Sequence, residues 1–363
     1  MTRPATRIVL SEAGDLDALG KRWRQLEAEA NASFFQSWTW VGCLADQRFP
    51  TPVLLEARCG ETTVGLALLN RSGPFWERER LWLGESGMAQ LDGIFIEHNG
   101  PVVARGHEDV LAACLHALLH QPILPRQRCG ARRLLISGVD ETQMQIARGV
   151  GRVRVRQSQA APFLDFTRIG TDATAFLDSL SANTRYQLRR SARRYGAAGP
   201  VRVRRAGSVT EALAFLDALV RLHQITWAAR GRPGAFANPV ILRFHRALIE
   251  RGVPRGEVDL LAITAGEQEI GYLYNFRFQN RVLAYQSGFD YAVADLHQKP
   301  GLTSHHAAIE AYRAEGMSSY DFLAGDNRYK LNLTNAVSTL HWLEIMPRWS
   351  VRALIAARRI GAP

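Results

Sequence analysis

The chain has 363 residues, of which 47% are hydrophobic and 22% charged. That is enough apolar content for a true core, which argues against a disordered chain, and enough length for two ordinary domains or one large one. Lys plus Arg number 45 against 34 for Asp plus Glu, a net charge of +11. Such a chain attracts phosphates, anionic sugars, nucleic acid or an acidic membrane surface, and charge alone does not choose among them.

Cys43, Cys59, Cys114 and Cys129 form no C-x-x-C pair and no zinc-type Cys/His spacing. They read as buried free thiols in a reducing compartment. The start, MTRPATRIVL, lacks the apolar region of a signal peptide. The longest apolar segment, Val110 to His120, is too short to span a bilayer. The expectation is a soluble, cytoplasmic protein without a metal site.

In chain order, Leu16, Leu19, Trp23, Leu26 and Ala30 recur at helical spacing and predict a helix over 15–30. FFQSWTWVGCLADQ starts a second helix with Ser37 as its N-cap. PVLLEARCGETTVGLALLN reads as a hairpin around a Gly-containing turn. RLWLG, GIFIEHNG, a helix near 107–120, RRLLISG and a strand pair ending near APFLDFTRIG follow.

The second half repeats the order, with helices over 171–180, 182–195, 209–230 and 239–251. Three antiparallel strands then run through VDLLAITAGEQEIGYLYNFRFQNRVLAYQSGFD. A helix over 302–315, a strand SSYDFLAG, a short helix DNRYKLNL, a strand TLHWLEIM and a helix over 350–360 complete the chain. The repeat is one of element order, without fixed-period self-similarity. It places the cut between residues 1–168 and 169–363.

The most specific local signal is HQKPGLTSHHAAIEAY, between a strand and a helix. Glycine at a helix entrance lets unpaired backbone N–H groups approach a ligand, and the helix dipole favours an anion there. Gly301 and Leu302 supply that backbone, Thr303 and Ser304 add hydroxyls and Lys299 adds charge. The competing reading is a plain Pro-Gly turn with a hydroxyl cap.

QKPGLT resembles the Q/R-x-x-G-x-G/A pyrophosphate loop of the GNAT N-acyltransferases. Gln298 and Gly301 match, and Thr303 stands where that loop has a small residue. The wider run AYQSGFDYAVADLHQKPGLTSHHAAIEAYRAEGMSSYDFLAGDNRYK resembles the branch of that superfamily associated with cellulose and exopolysaccharide biosynthesis. So does LHQITWAARGRPGAF upstream. That branch is similar to the Fem-type aminoacyl transferases with two GNAT-like domains in tandem. The resemblance covers about residues 175–345 well and the first half only in element order.

The resemblance implies an α+β fold (an α/β sandwich) of two tandem GNAT-like domains. Each would be a mixed, mostly antiparallel sheet flanked by helices. The first domain would be degenerate and the second would bind acyl-CoA, either acetyl-CoA or another, as co-substrate. The implied reaction is transfer of the acyl group to an amine on a small molecule or glycan precursor, in polysaccharide or cell-envelope biosynthesis.

The thioester carbonyl would be polarised by strand donors near Gln286, Ser287 and Gly288, with Ser287-Gly288 marking a bulge or a packing contact. His223, Trp227 and Arg230 share one helix face, His223 as a base and the other two at the acceptor, or all three as core and cap. Asp326 is a candidate base, Tyr329 a candidate acid toward the leaving thiolate, and Lys330 an anchor for an anionic group. A helix cap followed by a solvated turn competes with that reading.

The helix NTRYQLRRSARRYG sets Arg185, Arg189 and Arg193 on one line. It and the basic C-terminal WSVRALIAARRI could meet an anionic polymer or a membrane surface, or be solvated faces. Nucleic acid is disfavoured, because no insertion has the length of the Fem-type tRNA-binding hairpin. The alternatives to acyl-CoA transfer are Fem-like transfer from aminoacyl-tRNA and a non-catalytic scaffold that binds an anionic glycan or a synthase partner.

Overall fold

The computed structural model describes residues 5–72, 80–122, 131–172, 174–292, 294–325 and 328–348. The chain divides into two compact units, one formed by Met1–Ser158 with Thr339–Pro363, the other by Gln159–Ser338.

The first unit begins with β1 (Thr6–Glu12), α1 (Leu16–Glu29) and α2 (Trp38–Arg48). Ser37 caps α2 by accepting the Trp40 N–H, as its sequence position predicts. The chain continues through β2 (Pro52–Cys59), β3 (Thr62–Ser72), β4 (Arg80–Leu83), β5 (Val102–Val103), α3 (Val110–His120), β6 (Arg133–Val139), α4 (Glu141–Val150) and the long β7 (Arg152–Asp165).

Then come α5 (Ala175–Ser179), α6 (Ala182–Gly196), β8 (Val201–Arg205), α7 (Val209–Ala228) and α8 (Pro239–Gly252). The meander β9 (Val258–Ala265), β10 (Gln268–Phe278) and β11 (Arg281–Phe289) leads to α9 (Pro300–Ala314), β12 (Ser319–Asp321), α10 (Arg328–Asn332) and β13 (Ala336–Met346).

Strand order in the first unit is β1-β2-β3-β4-β6-β13, with β5 on β3, and in the second β8-β9-β10-β11-β12-β7. The parallel pairs are β4 with β6 and β11 with β12; the other registers within each unit are antiparallel. Each unit is thus an antiparallel meander, a crossover through a helix to a parallel neighbour, and one last antiparallel strand. This is the mixed, mostly antiparallel α+β arrangement that the sequence led us to expect.

The last strands depart from a simple cut at 168/169. β7 follows α4 of the first unit, yet its end at Phe163–Asp165 pairs with β12 of the second. β13 follows α10, yet its His341–Ile345 stretch pairs with β6 of the first.

Other elements also differ from the sequence expectation. A strand pair was expected after RRLLISG; instead Asp140 accepts the Gln143 N–H at 2.8 Å and starts α4, and one strand follows. GIFIEHNG forms no strand. The alternating VRVRR forms β8, which the surrounding run of arginines obscured. Of the cysteines, Cys43 and Cys114 are buried free thiols and Cys59 is half-buried. Cys129 and the expected helix over 350–360 lie outside the described residues. No helix among the described residues is long and apolar enough to cross a membrane.

The core of the second unit gathers Phe176, Leu188, Tyr195, Ile263, Leu273, Val282, Ile309, Tyr312 and Tyr320 around the sheet. α7 crosses β11 so closely that a Cβ on Gly288 would lie 2.3 Å from the Leu219 carbonyl oxygen. Gly288 is therefore a packing contact, and the bulge falls elsewhere: the β10–β11 register slips between Tyr274 and Asn275, leaving Tyr285 without an opposite number. On α9, His305 is buried and His306 stacks on Phe176 at 5.7 Å.

Two stability predictions follow. Gly288→Ala forces α7 off β11 and lowers unfolding free energy by about 1–3 kcal/mol, whereas Gly196→Ala, with nothing within 4 Å of its Cβ, is neutral or slightly stabilising; paired urea melts read both.

Burial holds the imidazoles of His305 and His306 at about 3 and about 4, with the charge of Lys330 also lowering His305. Unfolded histidines take up protons near 6.5. The contribution of these residues is complete above that pH and falls as pH drops below it, toward the folded values. The urea midpoint should decline on that limb, and His306→Phe should flatten the decline.

Candidate functional site

The site begins where two parallel strands part. β12 pairs with β11 only from Ser319 to Asp321, opposite Arg281 to Leu283, while β11 continues to Phe289. Beyond Asp321 the chain follows the β7 side, with the Phe322 N–H bonded to Pro162 O at 3.1 Å and the Gly325 N–H to Ala160 O at 2.9 Å.

An Asx turn drives the departure: the Leu323 N–H donates to Asp321 Oδ1 at 2.7 Å, and Leu323 takes a φ of 61°. Lys330, buried, reaches back to donate to Ala324 O at 2.9 Å and Leu323 O at 3.3 Å. Its ammonium thus secures the turn, where the sequence reading had it anchoring an anionic substrate group.

Beyond residue 283 the open edge of β11 carries backbone groups that β12 does not pair. Ser287 lies opposite Leu273, and the Asp290 N–H bonds Ile270 O. Antiparallel alternation therefore turns the N–H and C=O of Ser287 away from β10. The carbonyl meets His223 Nδ1 at 3.0 Å, and the Ala235 N–H donates to His223 Nε2 at 3.1 Å. Nε2 accepts, so Nδ1 carries the proton of a neutral ring. Burial, the largest cause, and the Arg230 guanidinium lower its pKa, against the Ser287 carbonyl. With both nitrogens engaged, His223 has no lone pair for an amine; it clamps β11 to α7 and to the loop at Ala235.

Gln286 and Ser287 are half-buried on the same strand. Trp227 lies 5.8 Å from the His223 ring, and the Arg230 guanidinium sits 5.5 Å over Trp227. Tyr329, on α10, stacks on His305 at 5.8 Å and meets Phe322 edge-on at 6.2 Å. Although 38% of Tyr329 reaches solvent, burial of its hydroxyl among these rings pushes it up to about 12. The Tyr291 hydroxyl adds to that shift and Arg230 opposes it. Asp326 lies outside the described residues.

At the other side stands the start of α9. Pro300 has no N–H, and the Thr303 N–H is bonded to Lys299 O. The N–H groups of Gly301 and Leu302 are therefore the terminal donors that the helix itself leaves open. A Cβ on Gly301 would come within 3.1 Å of the Phe289 ring.

The side chains here divide. Lys299 is exposed, and its N–H bonds Ser191 Oγ at 2.9 Å. Gln298 spends its Oε1 on the Asp295 N–H. Thr303 is buried against Ser191, hydroxyl to hydroxyl at 2.7 Å, so it joins α9 to α6 and is not a free donor. Ser304 is buried with its hydroxyl unpartnered.

Sequence reasoning missed Ser191, which organises this corner from within the basic helix, and Tyr291, which follows the SGFD run directly. Along α6, Arg185 donates to the carbonyls of Leu177 and Asp178, and Arg194 pairs with Asp295 at 3.7 Å. Arg185, Tyr186, Arg189 and Arg193 line a shallow groove of ≈ 470 Å³ on the outer face. Among the described residues no group of three or more His, Cys, Asp or Glu could hold a metal ion.

Comparison with known proteins adds the following. Residues 182–331 match the family model described as acetyltransferase (GNAT) domain. No curated protein sequence matches the chain.

Among solved structures, FemX superposes with a TM-score of 0.64 at 11% identity, covering 97% of this chain and 99% of that one. The C-terminal domain of a protein described as a putative lysylphosphatidylglycerol synthetase from Agrobacterium fabrum gives 0.54 at 10% identity, covering 95% and 96%. L-PGS from Bacillus licheniformis gives 0.53 at 12%, covering 94% and 96%. At these identities the likeness is one of fold. The residues matched by the GNAT acetyltransferase model, 182–331, hold the parted strands, the entrance of α9 and Tyr329.

Proposed function

We propose that the second unit is an N-acyltransferase taking an acyl group from acyl-CoA, acetyl-CoA or another, to an amine on a small molecule or glycan precursor. The observation that carries this reading is the parting of β11 from β12 beside the open N–H groups of Gly301 and Leu302. An extended thioester arm fits between parted strands, and a pyrophosphate fits a helix N-terminus approached by glycine.

The residues fit such a ligand in further ways. The tight space over Phe289 favours glycine at 301, and exposed Lys299 adds charge beside it. The bound thioester would supply the activated carbonyl and the leaving sulfur. Ser287 offers its N–H, fixed in direction by the His223 clamp, to polarise a carbonyl. With His223 engaged elsewhere, we give the base role to Asp326. Trp227, Arg230 and Tyr291 flank the acceptor side.

Tyr329 holds a protonated hydroxyl beside the site. A phenol held at about 12 keeps its proton against a thiolate of ordinary pKa about 8.5. It therefore acts chiefly by hydrogen bonding to the departing sulfur, while the proton lost by the amine reaches that sulfur through the base and solvent.

The acceptor's place in polysaccharide or envelope synthesis is part of this proposal and rests on the sequence resemblance. A Fem-type donor, aminoacyl-tRNA, and a non-catalytic glycan-binding scaffold gain no separate support from the site.

Calorimetry with CoA, desulfo-CoA and acetyl-CoA should give micromolar-range binding. Gly301→Glu should abolish that binding while the circular dichroism stays unchanged. Retention on charged tRNA or anionic polysaccharide without CoA binding would overturn the proposal. Tyr329→Phe should lower kcat by about a hundredfold and leave the KM for acyl-CoA nearly unchanged. Because that phenol sits at about 12, the wild-type rate should show no alkaline limb from this group below about pH 10. A limb that disappears in Tyr329→Phe at lower pH would remove Tyr329 from this role.

A further inference from the structure

Three consecutive residues of α9 carry buried polar atoms without a partner, Ser304 Oγ, His305 Nε2 and His306 Nε2. His305 is 3% exposed and Ser304 0%. Its ring lies among Phe322 at 5.0 Å, Phe289 at 5.8 Å and Tyr329 at 5.8 Å. Those three rings come from the end of β11, the chain just past β12, and α10, so His305 lies in the wedge where the strands part. Buried polar groups are nearly always satisfied, and an orphan of this kind calls for a partner that the chain does not supply.

The polarity of the orphan on His305 follows from the buried hydroxyl at its other nitrogen, which lies among further buried polar side chains. Asp259, paired with Arg205 Nε at 2.8 Å, accepts the Tyr312 hydroxyl at 2.7 Å. With its proton committed, the Tyr312 oxygen accepts from Asn275 Nδ2 at 3.1 Å. Tyr320 is fully buried, burial holds its hydroxyl well above the ordinary phenol value so that it keeps its proton, and His305 Nδ1 is the partner that hydroxyl meets. Tyr320 then directs its own proton to His305 Nδ1, 2.9 Å away. Nδ1 accepts, so Nε2 carries the hydrogen.

We propose that the Nε2–H of His305 is a hydrogen-bond donor to a carbonyl oxygen of the bound acyl donor's arm, held in its tautomer by the Tyr320 hydroxyl at Nδ1. The inference rests on the acyl-CoA reading above. It adds a side-chain donor on α9 to the Ser287 backbone donor on β11, and it makes Tyr320 a positioning residue. The arm offers two kinds of carbonyl, the thioester and the pantetheine amides, and the Nε2–H suits either.

The test combines a spectrum with binding. Long-range proton–nitrogen NMR of histidine-labelled protein, assigned with His305→Gln, should show His305 as the neutral Nε2–H tautomer. Its Nε2–H signal should shift when the unreactive amide analogue of acetyl-CoA is added. By calorimetry, His305→Phe should weaken the amide analogue by about tenfold. His305→Gln, whose amide N–H reaches the same place, should retain most of the affinity. Tyr320→Phe should release the tautomer and broaden the Nε2–H signal.

Unchanged affinity for free CoA in His305→Phe assigns the thioester carbonyl, and equal weakening of both ligands assigns a pantetheine carbonyl. If the wild type binds the analogue while His305→Phe and the spectrum are unaffected by it, His305 holds ordered water only and the proposal is wrong. Should His305→Phe fail to fold, the ligand-induced shift and the Tyr320→Phe spectrum decide. No CoA binding by the wild type would overturn the acyl-CoA reading, and this proposal with it.

Discussion

The second unit depends on one constraint, that β12 must leave β11 after three paired residues. A parallel strand that stops pairing leaves its neighbour's backbone groups unpaired, and that cost must be met by a built-in cause for leaving. Asp321 supplies it by accepting the Leu323 N–H, which turns the chain through a left-handed φ at a residue other than glycine. Leucine in that region is strained, by about 1–3 kcal/mol. Lys330 offsets part of the strain with two donations to the turn's carbonyls. On the other side of the gap, His223 takes the Ser287 carbonyl and so satisfies one group of the exposed edge. The gap is therefore held from both walls by side chains whose polar atoms are already engaged.

That engagement separates the legible part of the site from the rest. Gly301 and the helix entrance were readable because a glycine placed between a strand and a helix has a local backbone meaning. The meander of β9, β10 and β11 was readable from alternation and its turns. Roles set by a third dimension were not. His223 and Trp227 lie on α7 with Arg230 just past its end, but only the fold shows that the imidazole is enclosed between Ser287 O and the Ala235 N–H. Lys330 looked like a charge offered to substrate because a sequence does not show that its stem doubles back. Thr303 looked like a ligand donor because Ser191, its partner, lies far away in sequence, inside a helix that reads as solvated charge.

The element boundaries were lost for a related reason. α4 depends on a single cap, Asp140, in a segment whose apolar content is low. β8 is an alternating strand made mostly of arginine, two of which find Glu211, Asp259 and Glu315. The assignment of β7 and β13 to their sheets is a matter of pairing partner, and period-two alternation says which face a residue takes, never which strand lies beside it. Element order thus revealed the repeat but placed the final strand of each repeat in the wrong unit.

The buried polar groups between Asp259 and His305 follow the same rule at greater depth. Asp259, Tyr312 and Asn275 join β9, α9 and β10, and Tyr320 joins β12 to α9 through His305. Buried polar groups of this kind contribute specificity when each proton has one place to go. Here Arg205 pairs with the Asp259 carboxylate, and the Tyr312 and Tyr320 hydroxyls each meet one acceptor. The imidazole beneath Tyr329 keeps its Nε2 without a partner. The parted strands and the unused imidazole nitrogen are therefore two features of the same wedge.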